Sequence, residues 1–464
     1  AVYDAAFNRA GILRVRTFEE LFDCAELLAK QPKIIGPGLA IVTNSGGPGV
    51  MAADALSDCG FEPVTLSDET LKKLNSVLPS HWSRANPVDM LGDASVKEYC
   101  QVVDICVNAP EINSLLILLT PQAMINPTAV ANALLDKIKA IPFPVLTSWV
   151  GGPSVEGGRE VFNHYGIPTV DTPERAIRAF ANLWHYSRNL ELLQQIPSRL
   201  PRRLDVDRQR ARTLIRHGME RKEKILTEVE SKALLTAYGI PTNPTETAFS
   251  ADEAVRKAAH IGYPVALKVY SNTITHKTEV GGVILGLESE KEVRSAYDQI
   301  INRAMTHGNC GAVAGVTIQP MLSSQMMELI LGAKKDRDFG PVILFGLGGV
   351  MTEVMKDRAI ALPPLNRLLA RRLMEETKVY QLLKGYRNQP ASNLEKLEEI
   401  LIRLAQLMTD FSEIDELDIN PLFTIGDSFC AVDARVCLKC SDVPAPLHLV
   451  ISPYPVQFET HVVT

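Results

Sequence analysis

The chain has 464 residues, too many for one hydrophobic core and enough for two to four domains at ~100–200 residues each. Its composition is 46% hydrophobic, 22% charged and 6% aromatic, which excludes collagen-like, low-complexity and disordered architectures. A formal net charge of −6 supplies no basic field for nucleic acid or an acidic membrane surface, so small-molecule chemistry is the expectation. No apolar run approaches the ~18 residues of a membrane span, and the expected location is cytoplasmic. Eight cysteines are scattered along the chain and read as reduced thiols. Only Cys437-x-x-Cys440 has paired spacing, and a zinc site would need a second pair nearby.

In chain order, residues 4–10 read as a helix, Ile12 to Val15 as a strand and Thr17 to Ala29 as a second helix. Thr17 and Glu20 have capping-box spacing. The start, Ala1-Val2-Tyr3-Asp4, has neither methionine nor leader and reads as the inside of a longer polypeptide. From Gly36 onward, short apolar strands alternate with helices. Strands are expected at 39–43, 62–65, 114–119 and 144–147, and helices at about 47–60, 68–75, 127–140, 155–165 and 172–188. This alternation specifies an α/β fold, a doubly wound flavodoxin-like domain over 37–190. Ser198 to Lys224 carries eight arginines and reads as a basic connecting segment within 191–223. A second mixed α/β region runs over 224–440, opening with a helix from Glu228 to Tyr238. The proline-rich 441–464 reads as a linker.

Three groups of residues suggest chemistry. Asn44-Ser45-Gly46-Gly47-Pro48-Gly49 follows the first buried strand and opens a helix, so amides at Ser45, Gly46 and Gly47 can face a phosphate at a positive helix end. Asn86-Pro87-Val88-Asp89 and Gly92-Asp93 form a second polar loop, expected beside the first. In the second region, Lys268 ends the β run Tyr263 to Leu267 and needs a partner if half buried. A loop with His276, Lys277, Gly281 and Gly282 follows before the strand 284–287, as in a nucleotide-phosphate clamp. Gln319 and Met321 end a strand, Glu328 lies in the next, and Phe345 to Val350 is a glycine-rich turn. Asn420 and Asp433, on what read as adjacent strands, offer the hard oxygen ligands that Mg2+ prefers.

Together these motifs resemble the ADP-forming acyl-CoA synthetases, relatives of succinyl-CoA synthetase. YPVALKV (263–269), HKTEVGGV (276–283), GLGGV (346–350), LDINPL (417–422) and AVDA (431–434) resemble the family's ATP-grasp domain. TNSGGPGVMAADAL and NPVDMLGDA resemble its flavodoxin-like domain over 37–190, and residues 1–36 the end of its phosphohistidine domain. The resemblance implies ATP/ADP with Mg2+ at 224–440, and CoA or acyl-CoA in the whole enzyme. Phosphate would pass through phosphohistidine, with His276 as catalytic relay. Lys268, Lys277, Gly281, Gly282, Gln319, Met321 and Glu328 would bind nucleotide, and Asn420 and Asp433 the metal. A CoA-binding Rossmann domain and the principal phosphohistidine motif would precede Ala1, so the fragment alone is expected to be inactive. Residues 447–455 resemble the junction of Pat-type protein lysine acetyltransferases, whose GNAT domain would follow. That offers an alternative, a regulatory region sensing nucleotide or acyl-CoA. Homo-oligomeric assembly is left open.

Overall fold

The computed structural model describes residues 1–194, 204–221, 224–271, 277, 280–306, 313–322, 327–349, 356–387 and 390–451, without the side chains of 192–194, 306 and 313. The chain divides into two compact units, Phe7–Ile196, and Pro197–Thr464 together with Ala1–Ala6. No helix among the described residues is long and apolar enough to cross a membrane.

Helices α1 (Val2–Ala10) and α2 (Phe18–Lys30) come first. Thr17 caps α2 by accepting the Glu20 amide at 3.1 Å. Ile12 to Val15 is not a strand: it pairs with no ladder, and Ile12, Arg14 and Arg16 are exposed. The first sheet contains β1 (Leu39–Thr43), β2 (Val88–Asp89), β3 (Ser114–Leu119), β4 (Val145–Trp149) and β5 (Thr169–Val170). Its strands are parallel in the order β2-β1-β3-β4-β5, the flavodoxin order.

Every residue of β1, β3 and β4 is buried because helices cover both faces. Ala40, Val42, Leu115 and Ile117 pack toward α4 (Asp68–Val77), α5 (Val96–Val107), α6 (Pro127–Lys139) and α7 (Glu156–His164). Leu39, Ile41, Leu116 and Leu118 pack toward α2, α3 (Gly46–Asp58) and α8 (Pro173–Gln194).

The expected strand at 62–65 is absent, and the short β2 holds the sheet edge instead. Pro63 has no amide to donate. The Asn86 side chain supplies the pairing: it accepts the Ile41 amide at 2.9 Å and donates to the carbonyls of Leu39 (2.9 Å) and Val64 (3.1 Å).

In the second unit, the arginine-rich stretch contains helix α9 (Arg208–Met219). Ala211, Ile215 and Gly218 form a narrow buried stripe at helical spacing, while Arg208, Arg210, Arg212 and Arg216 are exposed. Helix α10 (Glu228–Ala237) follows, capped by Thr227 and Glu230 in a reciprocal capping box.

A small antiparallel sheet, β6 (Glu246–Ala248), β7 (Val265–Ser271), β8 (Val283–Leu287) and β9 (Val313–Pro320), runs in the order β6-β9-β7-β8. It packs on α11 (Ala251–Ile261) and α12 (Glu290–Thr306). The larger sheet contains β10 (Glu328–Asp336), β11 (Gly340–Leu347), β12 (Arg358–Ala361), β13 (Ile414–Ile425), β14 (Ser428–Ala431) and β15 (Ala434–Leu438). Both β14 and β15 pair with β13. The main core of this unit lies between that sheet and helices that include α10, α13 (Arg367–Glu375) and α14 (Leu394–Asp410). Part of the proline-rich tail docks here: Leu449 is buried and the His448 ring contacts the Met408 carbonyl at 2.8 Å.

Candidate functional site

Lys268 is the fourth residue of β7 rather than the end of a run, and it is only 6% exposed. A buried ammonium needs acceptors. Its Nζ donates to Asp433 Oδ2 (3.1 Å), Glu228 Oε1 (3.3 Å) and the Val432 carbonyl (3.3 Å). Lys277 reaches the same two carboxylates, Glu228 Oε2 at 2.5 Å and Asp433 Oδ1 at 3.5 Å.

Lys277 is held close to β7 by glycine. The Gly282 amide donates to the Lys277 carbonyl (2.8 Å), and the Val269 amide donates to the Gly282 carbonyl (2.7 Å). A Cβ on Gly282 would stand 2.7 Å from Val269 Cγ1, so no side chain fits. Gly281 has φ +63°, the left-handed region that favours glycine. His276 lies outside the described residues.

Glu228 ties the cluster together, and the sequence reading missed it. It opens α10, 7% exposed, four residues before Lys232, which is 3% exposed. Ser231 and Leu235 share that buried face, so the i, i+3, i+4, i+7 pattern already placed a charged pair inward. Lys232 Nζ donates to Asn243 Oδ1 (2.8 Å), Thr245 Oγ1 (2.8 Å) and Gln319 Oε1 (3.0 Å), and lies 3.1 Å from Glu228 Oε1. Gln319 also donates to Glu228 (2.6 Å) and accepts from Asn243 Nδ2 (2.7 Å). Its amide is therefore engaged inside the protein.

Electrostatics follow from this crowding. Burial works against the charge on Glu228, but Lys268, Lys277 and Lys232 outweigh it and hold the carboxyl far below its usual range. Burial pushes Lys232 down to about 8 against the pull of Glu228. Lys277 goes the other way: burial is overcome by Glu228 and Asp433 and its pKa rises. Three lysines against two carboxylates leave one net positive charge, suited to an anion.

Asp433 lies in the two-residue break between β14 and β15, which both run along β13, and its carbonyl accepts the Asn420 amide at 3.3 Å. Asn420, on β13, is exposed. Among the described residues no group of three or more His, Cys, Asp and Glu could hold a metal unaided. The donors nevertheless suit a hard cation that completes its shell with phosphate oxygens.

Asp418, two residues before Asn420, is pushed up to about 6 by burial, then by Glu416 and Asp433, with Arg435 opposing. An acid raised above its unfolded value of ~3.9 costs stability as pH climbs through that window, by at most about 3 kcal/mol. Asp418→Asn should therefore stabilise the metal-free chain in urea at pH 7.5 and give no gain at pH 4. Equal gains at both pH values would refute this assignment.

Met321, just past β9, donates its amide to the Pro264 carbonyl at 2.9 Å. Glu328 opens β10, and its carbonyl accepts the Gly348 amide at 2.8 Å. A Cβ on Gly349 would stand 2.6 Å from Glu328 Oε2, so the glycine turn admits that carboxylate. Among the described residues Glu328 makes no hydrogen bond to the lysine cluster. Val350 lies outside them.

In the other unit, Ser45 is the N-cap after β1, and Gly46 and Gly47 are the first two residues of α3. The Ser45 amide donates to Thr43 Oγ1 at 3.0 Å, and the Asn44 side chain clasps Thr120 through two 2.9 Å bonds. Pairing of β1 with β2 brings the second polar loop alongside: a Cβ on Gly46 would lie 3.1 Å from Asp89 Oδ2, while Gly47 has open space.

Residues 39–194 match the Ligase-CoA domain model and 217–438 the ATP-grasp domain model. The chain is 35% identical over 436 residues to acetate–CoA ligase [ADP-forming] I of Archaeoglobus fulgidus, covering 94% of this chain and 62% of that protein. It is 33% identical over 441 residues to 4-hydroxybutyrate–CoA ligase [ADP-forming] of Nitrosopumilus maritimus, with the same coverage of 94% and 62%. It is 38% identical over 213 residues to the beta subunit of acetate–CoA ligase [ADP-forming] I of Pyrococcus furiosus, 46% of this chain and 91% of that subunit. The chain belongs to the ADP-forming acyl-CoA ligase family, with a Ligase-CoA domain followed by an ATP-grasp domain.

Proposed function

We propose that this chain is the nucleotide-handling part of an ADP-forming acid–CoA ligase. The overall reaction converts acyl-CoA, phosphate and ADP into free acid, CoA and ATP. Phosphate displaces CoA from the acyl group, giving acyl phosphate; a histidine nitrogen takes the phosphoryl group and releases the acid; ADP takes it from histidine to form ATP. The observation that carries this reading is the buried Lys268 and the partly buried Lys277, bridged by Glu228 and Asp433 in a member of this family. Those lysines would meet the nucleotide phosphates, where transfer depends on positioning and charge neutralisation. Mg2+, held by Asn420 and Asp433 together with phosphate oxygens, would neutralise phosphate charge when bound.

Gly281 and Gly282 fix the Lys277 turn, and Met321 and Glu328 would line the nucleotide on the strands beyond. Ser45, Gly46 and Gly47 would hold a phosphoryl group at the start of α3, aided by its dipole. We assign 1–36 to the end of a phosphohistidine-type domain, 37–190 to the Ligase-CoA domain and 224–440 to the ATP-grasp domain, with α9 of the intervening 191–223 packed on the second unit's core. A cytoplasmic setting suits soluble substrates of this kind. No observation favours the regulatory acetyltransferase reading over the ligase. Titration calorimetry of the purified chain with MgADP and MgATP should show saturable binding. No heat up to millimolar nucleotide would sink the proposal.

A further inference from the structure

Taking the nucleotide reading of Lys268 and Lys277 as its footing, we propose that Glu228 is a positioning residue, setting both lysine Nζ atoms for the nucleotide phosphates without touching the nucleotide. Its two oxygens are divided between them, Oε1 to Lys268 and Oε2 to Lys277. Lys268 comes from a strand and Lys277 from the turn beyond it, so the carboxylate is a shared anchor for groups on different elements. A carboxylate repels phosphate, and Glu228 is buried among donors, so direct contact with the ligand is the wrong role for it.

The anchor is itself fixed from behind. Gln319 donates to Oε1 at 2.6 Å while accepting from Lys232 and Asn243, and Lys232 lies 3.1 Å from the same oxygen. This satisfied polar network costs more to disturb than any one of its bonds, because removing one member leaves the others buried without partners. Helix α10 thereby reaches through Gln319 into the strand that leads to Met321. A charge-rich network here serves geometry, since apolar packing would have filled the same space without desolvating ions.

A positioning role for phosphate has a signature that a purely structural role lacks. Glu228→Gln keeps the shape but replaces an anionic acceptor pair by one acceptor and one donor facing lysines. Adenosine, AMP and ADP titrated onto the whole chain with magnesium, followed by ligand-observed NMR, separate base from phosphate recognition. The wild type should favour ADP over adenosine. In Glu228→Gln that preference should fall at least about tenfold, while adenosine affinity changes less than about threefold. Gln319→Met, close in volume but without the amide, should lower the same preference by a smaller factor and serves if Glu228→Gln does not fold.

Folded variants that retain the wild-type preference would overturn the positioning role, as would equal weakening of adenosine and ADP. A wild type that binds ADP no better than adenosine would instead remove the nucleotide-phosphate reading, and the positioning role with it.

Discussion

Lys268→Met should weaken MgADP binding by about ten- to hundredfold, read by titration calorimetry. Charge-assisted hydrogen bonds are worth about 1.5–3 kcal/mol, and about 1.4 kcal/mol is a factor of ten. Methionine fills the volume of the lysine stem, so the loss reports the ammonium rather than a cavity. The substitution also cancels the cluster's net positive charge, leaving Lys232 and Lys277 against Glu228 and Asp433. Lys334→Met is the control: that lysine is exposed on β10 and pairs with Glu416, and its loss should leave affinity unchanged. Equal affinity in Lys268→Met and wild type would remove Lys268 from the site.

The fold was legible where burial is complete. Strands β1, β3 and β4 are unbroken apolar runs, and such runs between amphipathic helices specify a covered parallel sheet. The two-residue strands β2 and β5 carry no period, and α5 was overlooked despite its Ser95–Glu98 capping box. The 62–65 segment looked more like a strand than β2 did, because the sequence does not reveal that the Asn86 side chain will occupy the ladder positions.

The candidate site divides similarly. Lys268 and Asp433, 165 residues apart, were singled out separately and are joined in the structure. Glu228 and Lys232 were passed over because an i, i+4 pair on a helix ordinarily reads as a solvated salt bridge. Their burial depends on Lys268 and Gln319, 40 and 91 residues from Glu228. Gln319, read as a nucleotide contact, has its amide spent on that network. The arginine-rich segment hid a helix because its docking face is narrow: Ala211, Ile215 and Gly218 are buried, with Leu214 and Met219 partly buried beside them.

In the proposed ligase, His276→Ala should abolish phosphoryl transfer to ADP while leaving ADP binding within about threefold of wild type. Its sequence position is the ground for this: His276 immediately precedes Lys277, whose ammonium is committed to the Glu228–Asp433 pair. A nucleophilic imidazole needs an unprotonated nitrogen to take the phosphoryl group. On the proposed path phosphohistidine is a covalent stage, so its loss would remove a step, whereas loss of a phosphate contact would only lower affinity. Labelling with acyl-CoA and radioactive phosphate, followed by peptide mapping, distinguishes the two. Acid-labile label on the His276 peptide, chased into ATP by ADP, is the expected result. An enzyme that makes ATP at the normal rate with that peptide unlabelled would reduce His276 to a contact and move the phosphoryl relay elsewhere.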